Sequence, residues 1–192
     1  MCIRDRIKST NNHASLYINA GSGYGTYIRF EENNAQKYWI NTDTNGRLNF
    51  RPAGTSTTSN WITFDTSGKV GIGTISPNTK LQVEEYGIDT TTTSTTATTQ
   101  VAIDTFTAAT FRSAEFTIQV KNSTDSTYHL TKVLLIHDGT TPAITEYGTI
   151  FTGSAAEATF DADISSGNVR LLATPASTDS MTFKVVRHCI TV

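Results

Sequence analysis

Twelve residues, Trp39-Ile40-Asn41-Thr42-Asp43-Thr44-Asn45-Gly46-Arg47-Leu48-Asn49-Phe50, return 22 positions later as Trp61-Ile62-Thr63-Phe64-Asp65-Thr66-Ser67-Gly68-Lys69-Val70-Gly71-Ile72. The shared skeleton is Trp-Ile-x-x-Asp-Thr-(Asn/Ser)-Gly-basic-aliphatic-x-apolar. A further step back reaches an eroded copy, Tyr17-Ile18-Asn19-Ala20-Gly21-Ser22-Gly23. A fixed period of this length marks a repeat architecture, whose units cannot bury their apolar faces alone. The chain is therefore first a built array, before any chemistry is considered.

Each unit reads as a β-hairpin. Asp43-Thr44-Asn45-Gly46 and Asp65-Thr66-Ser67-Gly68 are turns. The leading Asp can bond the backbone two residues on, and Gly accepts the positive φ such turns need. Arg47 and Lys69 follow directly and are expected to face solvent. Residues 7–84 supply only about two to four large apolar side chains per hairpin. So little burial cannot offset about 1–2 kcal/mol of backbone entropy per ordered residue. An isolated hairpin is marginal at best. Stacked neighbours or other copies of the chain must complete the burial, so this part is not expected to fold as a monomer.

Composition excludes two partner classes. Charged residues make up only 17% and the formal net charge is -2, so there is no electrostatic footprint for nucleic acid or an anionic membrane. No apolar run approaches the about 20 residues that span a bilayer. Thr, Ser, Asn and Gly carry the polarity, which favours strands and turns over helices. Cys2 and Cys189 sit near opposite ends, so a disulfide framework is not indicated. Residues 1–6 lack the apolar core of a secretory signal. They are expected to be a non-native or truncated leader, with the natural chain extending upstream.

Residues 90–99 are a Thr-rich low-complexity tract. β-branched Thr favours extended backbone, so residues 85–100 read as a stiff neck between two units. Residues 101–192 then show about seven short alternating runs. Phe116, Ile118 and Val120 share one face; the run at 128–136 reads as a strand buried on both sides. Runs at 144–151, 158–164, 169–173 and 181–190 follow, separated by turn signals at 122–125, 138–142, 165–168 and 175–177. An antiparallel sandwich of jelly-roll-like type is expected.

Few residues suggest chemistry. In His137-Asp138-Gly139 the two side chains of adjacent strand positions point to opposite faces, which argues for a turn rather than a triad. His129 and His188 have no metal-ligand spacing around them. Asp161 and Asp163, with Glu157 nearby, lie on one strand face rather than across a substrate groove. Cys189 lies in an apolar strand as core filler. Tyr24, Tyr27, Tyr38, Trp39 and Trp61 are of the type that stacks on sugars, but Trp39 and Trp61 hold the same repeat position, as packing predicts. No catalytic residue, metal or cofactor is expected. Ligand contact is expected in sandwich loops at one end, 122–127, 138–142 and 165–168, with Asn122, Asp125, Asp138, Thr140 and Asn168 as candidates.

One segment carries a resemblance. Val70-Gly71-Ile72-Gly73-Thr74-Ile75-Ser76-Pro77-Asn78-Thr79-Lys80-Leu81-Gln82-Val83 resembles the Val-Gly-Ile-Gly-Thr-x-x-Pro-x-x-Lys-Leu-x-Val stretch of bacteriophage tail fibres and tailspikes, and residues 101–192 resemble the small β-domains that cap tail fibres of marine phages. The resemblance implies an all-β virion protein: a hairpin shaft (7–84) wound as a homotrimer, the neck (85–100) and the C-terminal sandwich (101–192). It implies attachment to other tail proteins through an upstream region, and a host-surface glycan or protein as receptor. Some relatives end in a self-cleaving helical chaperone; nothing helical follows here, so that activity is not carried over. A secreted bacterial adhesin is the first alternative, and a polysaccharide depolymerase the second.

Overall fold

The computed structural model describes residues 18–21, 24–53 and 61–192. The leader at 1–6, Cys2, and Tyr17, Ser22 and Gly23 of the eroded copy lie outside the described residues. The fold is all-β. The repeat region forms β1 (Tyr27–Glu32), β2 (Ala35–Thr42), β3 (Leu48–Pro52), β4 (Ile62–Phe64), β5 (Val70–Ile72) and β6 (Leu81–Val83). The remainder forms β7 (Tyr86–Thr95), β8 (Val101–Thr107), β9 (Phe111–Asn122), β10 (Thr127–His137), β11 (Pro142–Phe151), β12 (Ala158–Ser165), β13 (Asn168–Pro175) and β14 (Met181–Thr191).

The sequence repeat is a structural repeat down to single hydrogen bonds. Oδ1 of Asp43 accepts from the backbone N–H of Asn45 at 2.9 Å and of Arg47 at 3.0 Å. Asp65 does the same for Ser67 at 2.9 Å and Lys69 at 2.8 Å. Gly46 and Gly68 both sit at φ 79°, a left-handed conformation that side chains with a Cβ resist. These turns close the hairpins β2–β3 and β4–β5. Arg47 is only half turned to solvent, because it pairs with Asp43 and donates to the Ile75 carbonyl at 2.7 Å.

After β5 the meander changes. The Gly73–Lys80 stretch crosses over and returns the chain as β6, parallel to β5. Eight residues are short for a parallel crossover, which ordinarily takes a dozen or more. Gly71 permits it: a Cβ there would stand 2.4 Å from the Thr74 carbonyl oxygen. Thr79 is fully buried and donates to the Leu81 carbonyl at 2.8 Å, pinning the return.

The Thr-rich tract is part of the sheet. Residues 86–95 form β7, which pairs with β14 from Tyr86↔Ile190 to Thr95↔Met181. One eleven-stranded sheet therefore runs β1-β2-β3-β4-β5-β6-β7-β14-β9-β10-β11 through repeat region and C-terminal region alike. Against its last five strands packs a three-stranded sheet, β12-β13-β8. Phe106, Val169 and Leu171 of the small sheet meet Phe116, Ile118, Val133, Phe183 and Val185 of the large one in a single core.

The strand order is jelly-roll-like in one half. β7 and β8 are consecutive but belong to opposite sheets, where they pair with β14 and β13, the ribbon closure of a jelly roll. β9-β10-β11 depart from that order by continuing as a plain meander. At the closure Arg187 lies buried, its guanidinium donating to Asp104, reaching Asp89 at 3.3 Å and stacking on Phe106 at 5.0 Å.

Candidate interaction surfaces

Directly paired residues share a face of a sheet, so the registers allow each face to be followed across all eleven strands. One row reads Tyr27, Asn41, Asn49, Thr63, Gly71, Gln82, Gly87, Cys189, Ala114, Leu135, Ile144. Its second part is the sandwich core. Its first part is polar or small, yet Asn41, Asn49, Thr63 and Gln82 are buried. Their needs are met locally: Thr63 donates to Asn49 Oδ1 at 2.9 Å, and Gln82 bridges the Asn78 N–H and the Glu84 carbonyl, both at 2.7 Å.

The opposite face carries the apolar residues. Its row reads Ile28, Ile40, Phe50, Ile62, Ile72, Val83, Tyr86, Ile190, Ser113, Ile136, Ala143. A neighbouring row adds Leu48, Phe64, Val70, Leu81, Ile88 and, beyond two polar residues, Leu134. Much of this face is open: Phe64 is 42% exposed, Ile72 41%, Ile190 55% and Ile136 61%. In the repeat region the amphipathic pattern is thus inverted, with polar side chains covered and apolar ones uncovered. At about 4.8 Å per strand the apolar row extends roughly 48 Å. Near its outer end, Phe30, Tyr38, Trp39, Ile40, Phe50, Arg51 and Trp61 line an open cleft of about 380 Å³.

Within the sandwich part of this face lies a polar chain. Tyr86 bonds His188 Nδ1; His188 stands opposite Glu115; Lys132 reaches Glu115 at 2.5 Å and Tyr147 donates to the same oxygen at 3.1 Å. The Lys132 and Tyr147 hydrogen bonds hold the Glu115 carboxyl below the usual carboxylate range.

The residues singled out from sequence divide between the two ends of the sandwich. β9 and β10 are antiparallel, so the 122–127 loop lies opposite the 138–142 loop. The 165–168 turn sits with the latter end, where Ala108 N–H donates to the Gly167 carbonyl at 3.0 Å. The expectation of three loops at one end is corrected: hairpin alternation separates them. Asn122 is buried rather than displayed at the surface. It is 2% exposed, its Oδ1 accepts from the N–H groups of Thr124 and Asp125, and its Nδ2 faces Asp125, Glu157 and Asp179 at 3.5, 3.3 and 3.0 Å. Asp138 caps its own loop through Thr140 and Thr141 N–H groups and the Thr140 hydroxyl, which hold its carboxyl down to about 2. Asn168 donates to the Ser166 carbonyl at 3.2 Å.

His137 and Asp163 have structural partners, and Cys189 and His129 are packed in apolar surroundings. His137 Nε2 lies 2.7 Å from the Phe111 carbonyl, and its Nδ1 accepts from Gly139 N–H at 3.0 Å. Asp163 pairs with Arg170 through both carboxylate oxygens. Cys189 is buried in the core, and burial pushes its thiol up. His129 is fully buried between Phe151 and Phe160, with neither ring nitrogen bonded. Among the described residues no three His, Cys, Asp or Glu side chains gather as a metal site.

No protein-family model and no curated protein matches the chain. Solved structures that align with part of it include two phage tailspikes. The tailspike protein of Acinetobacter baumannii phage AM24 does so at 9% identity and TM-score 0.38, over 56% of this chain and 26% of that one. The tailspike protein of Acinetobacter phage vB_ApiP_P1 does so at 18% identity and TM-score 0.30, over 56% and 21% respectively. The match spans about a quarter or less of the length of either tailspike.

Proposed function

We propose that the chain is a self-associating structural segment of a phage tail fibre or tailspike, located in the virion tail, in which a hairpin shaft carries a β-sandwich tip. The observation that carries this reading is the inverted repeat sheet. From Ile28 to Ile190 the apolar row runs unbroken across the repeat region, more than a soluble monomer ordinarily leaves open, and a second surface of the same kind is the natural cover. The need for partners comes from that face; the number three comes from the resemblance of the Val70–Val83 segment to tail-fibre proteins. In this reading the chain performs no reaction of its own, consistent with the structural roles of His137, Asp163 and Cys189.

Host-surface contact then falls to the loops at the sandwich end remote from β6, namely 123–126, 152–157 and 176–180. β7 pairs with β6 only near Tyr86–Ile88 and continues to Thr95 at that remote end. Three copies of a weak site acting together gain avidity without new contacts. Light scattering tests the assembly: the expected mass is three times the 20.9 kDa of one chain. A stable monomer at micromolar concentration sinks the reading. Exchange of the three remote loops should abolish adsorption to host cells while leaving that mass unchanged.

A further inference from the structure

Arginine stays protonated at any accessible pH, and burying its charge without an anion costs several kcal/mol. Arg51 is in that position. It is 6% exposed, and among the described residues no carboxylate pairs with it. Its Nε–H has no acceptor, and its guanidinium carbon lies 4.4 Å from the ring centroid of Trp39, its cross-strand partner. Among the described residues two other inward-turned arginines do have carboxylates: Arg47 holds Asp43, and Arg187 holds Asp104 and Asp89, although Arg187 Nε–H likewise lacks an acceptor.

More unused groups gather around Arg51. Trp39 Nε1–H is buried without an acceptor, and two residues along the same face Asn41 Oδ1 is buried without a donor. Tyr27 stands edge-on to Trp39 at 5.5 Å, and Arg29, paired with Trp39 across β1–β2, adds a second positive charge on that face. Two idle N–H donors beside uncompensated positive charge describe a receptor for a forked anion. The Asn41 oxygen repels a carboxylate but accepts a hydroxyl. A carboxylate with hydroxyls on neighbouring carbons offers acceptors for the two N–H groups and a donor for the Asn41 oxygen.

We propose that Arg51, Trp39 and Asn41 form a binding site for a sugar acid of the uronate class. By register Trp39, Asn41 and Arg51 lie on the face opposite the apolar rows, and Trp39 and Arg51 also border the outer cleft. The test uses the full chain labelled with ¹⁵N-tryptophan, which gives one indole resonance each for Trp39 and Trp61, assigned with W39F. Titration with glucuronate should move the Trp39 resonance saturably, and glucose at equal concentration should not. Arg51→Met, which keeps an apolar contact with Trp39, should lose the shift and melt at a higher temperature, because it removes an unpaired buried charge. Arg51→Lys, which keeps charge but loses the fork, should bind at least tenfold more weakly and serves if the methionine variant fails to fold. Equal responses to glucose and glucuronate, or a shift that survives in both variants, overturn the proposal. So does a wild-type chain silent to glucuronate whose Arg51→Met variant loses assembled mass, since the carboxylate would then belong to a neighbouring copy.

Discussion

At the scale of single residues, burial decides roles that side-chain type leaves open. Asn122 looks like a loop ligand because Asn-Ser-Thr-Asp is turn chemistry, yet the turn uses Asn122 to bind its own backbone and to gather Glu157 and Asp179. No local pattern announces those two, which arrive from 35 and 57 positions away. His129 is the sharper case, since alternation along β10 places it inward but says nothing of its partners. Burial pushes its imidazole below the ordinary value, against the opposing pull of Glu146 and Glu157. The unfolded chain therefore takes up the proton more readily than the folded one. The stability this neutral histidine allows is fully present above the ordinary imidazole pKa of about 6.5 and is lost as pH falls through it, by at most about 1.4 kcal/mol per pH unit. The apparent Tm should drop between pH 7.5 and 5.5, and His129→Leu should flatten that drop. A histidine-to-leucine variant with the wild-type pH slope would place the proton uptake elsewhere.

At the scale of elements, the repeat was the most legible part of the chain. Asp43 and Asp65, with Gly46 and Gly68, specify both turns, and the structure reproduces the same bonds at each. The Thr-rich tract was the least legible. Ten residues with almost no apolar side chain give no alternation to read, and β7 exists because β14 supplies a partner for its backbone. The two turns also differ in a way that sequence hides. A Cβ at Gly68 meets nothing within 4 Å, whereas one at Gly46 comes within 3.2 Å of Thr66 Cγ2, because successive turns stack. Gly68→Ala should therefore show only the left-handed backbone cost of about 1–2 kcal/mol. Gly46→Ala should cost that much and a few tenths of a kcal/mol more. Gly68→Asn should recover part of the loss, since Asn tolerates this conformation. Thermal unfolding of the three variants gives the ranking directly; equal melting of Gly68→Ala and Gly68→Asn would remove backbone conformation as the cause.

At the scale of the whole molecule, one sheet joins two parts that hold together for different reasons. Among the described residues the buried apolar core runs from Ile103 to Cys189, so the sandwich contains its own driving force. The repeat region adds buried residues too, but besides Gly71 and Pro77 the described ones are all polar or charged: Asn41, Asn49, Arg51, Thr63, Thr79 and Gln82. Burying polar groups is at best modestly favourable even when each is bonded. Its isoleucines and phenylalanines face outward, where they contribute only once covered. Sequence reading found the shortage of apolar groups; it missed that those present point away from the covered side, because alternation alone does not say which face of a sheet is covered. The two parts should therefore separate in their dependence on concentration. A fragment of residues 86–192 should unfold cooperatively at a temperature independent of concentration. A fragment of residues 18–85 should lack dispersed amide resonances when dilute and gain order only as it associates. Amide spectra of both fragments at 10 µM and 1 mM, values on the order of the concentrations where weak association sets in, make the comparison. A dilute repeat fragment with well-dispersed resonances at monomer mass would mean that its polar face suffices to hold it, and the outward apolar rows would then need another explanation.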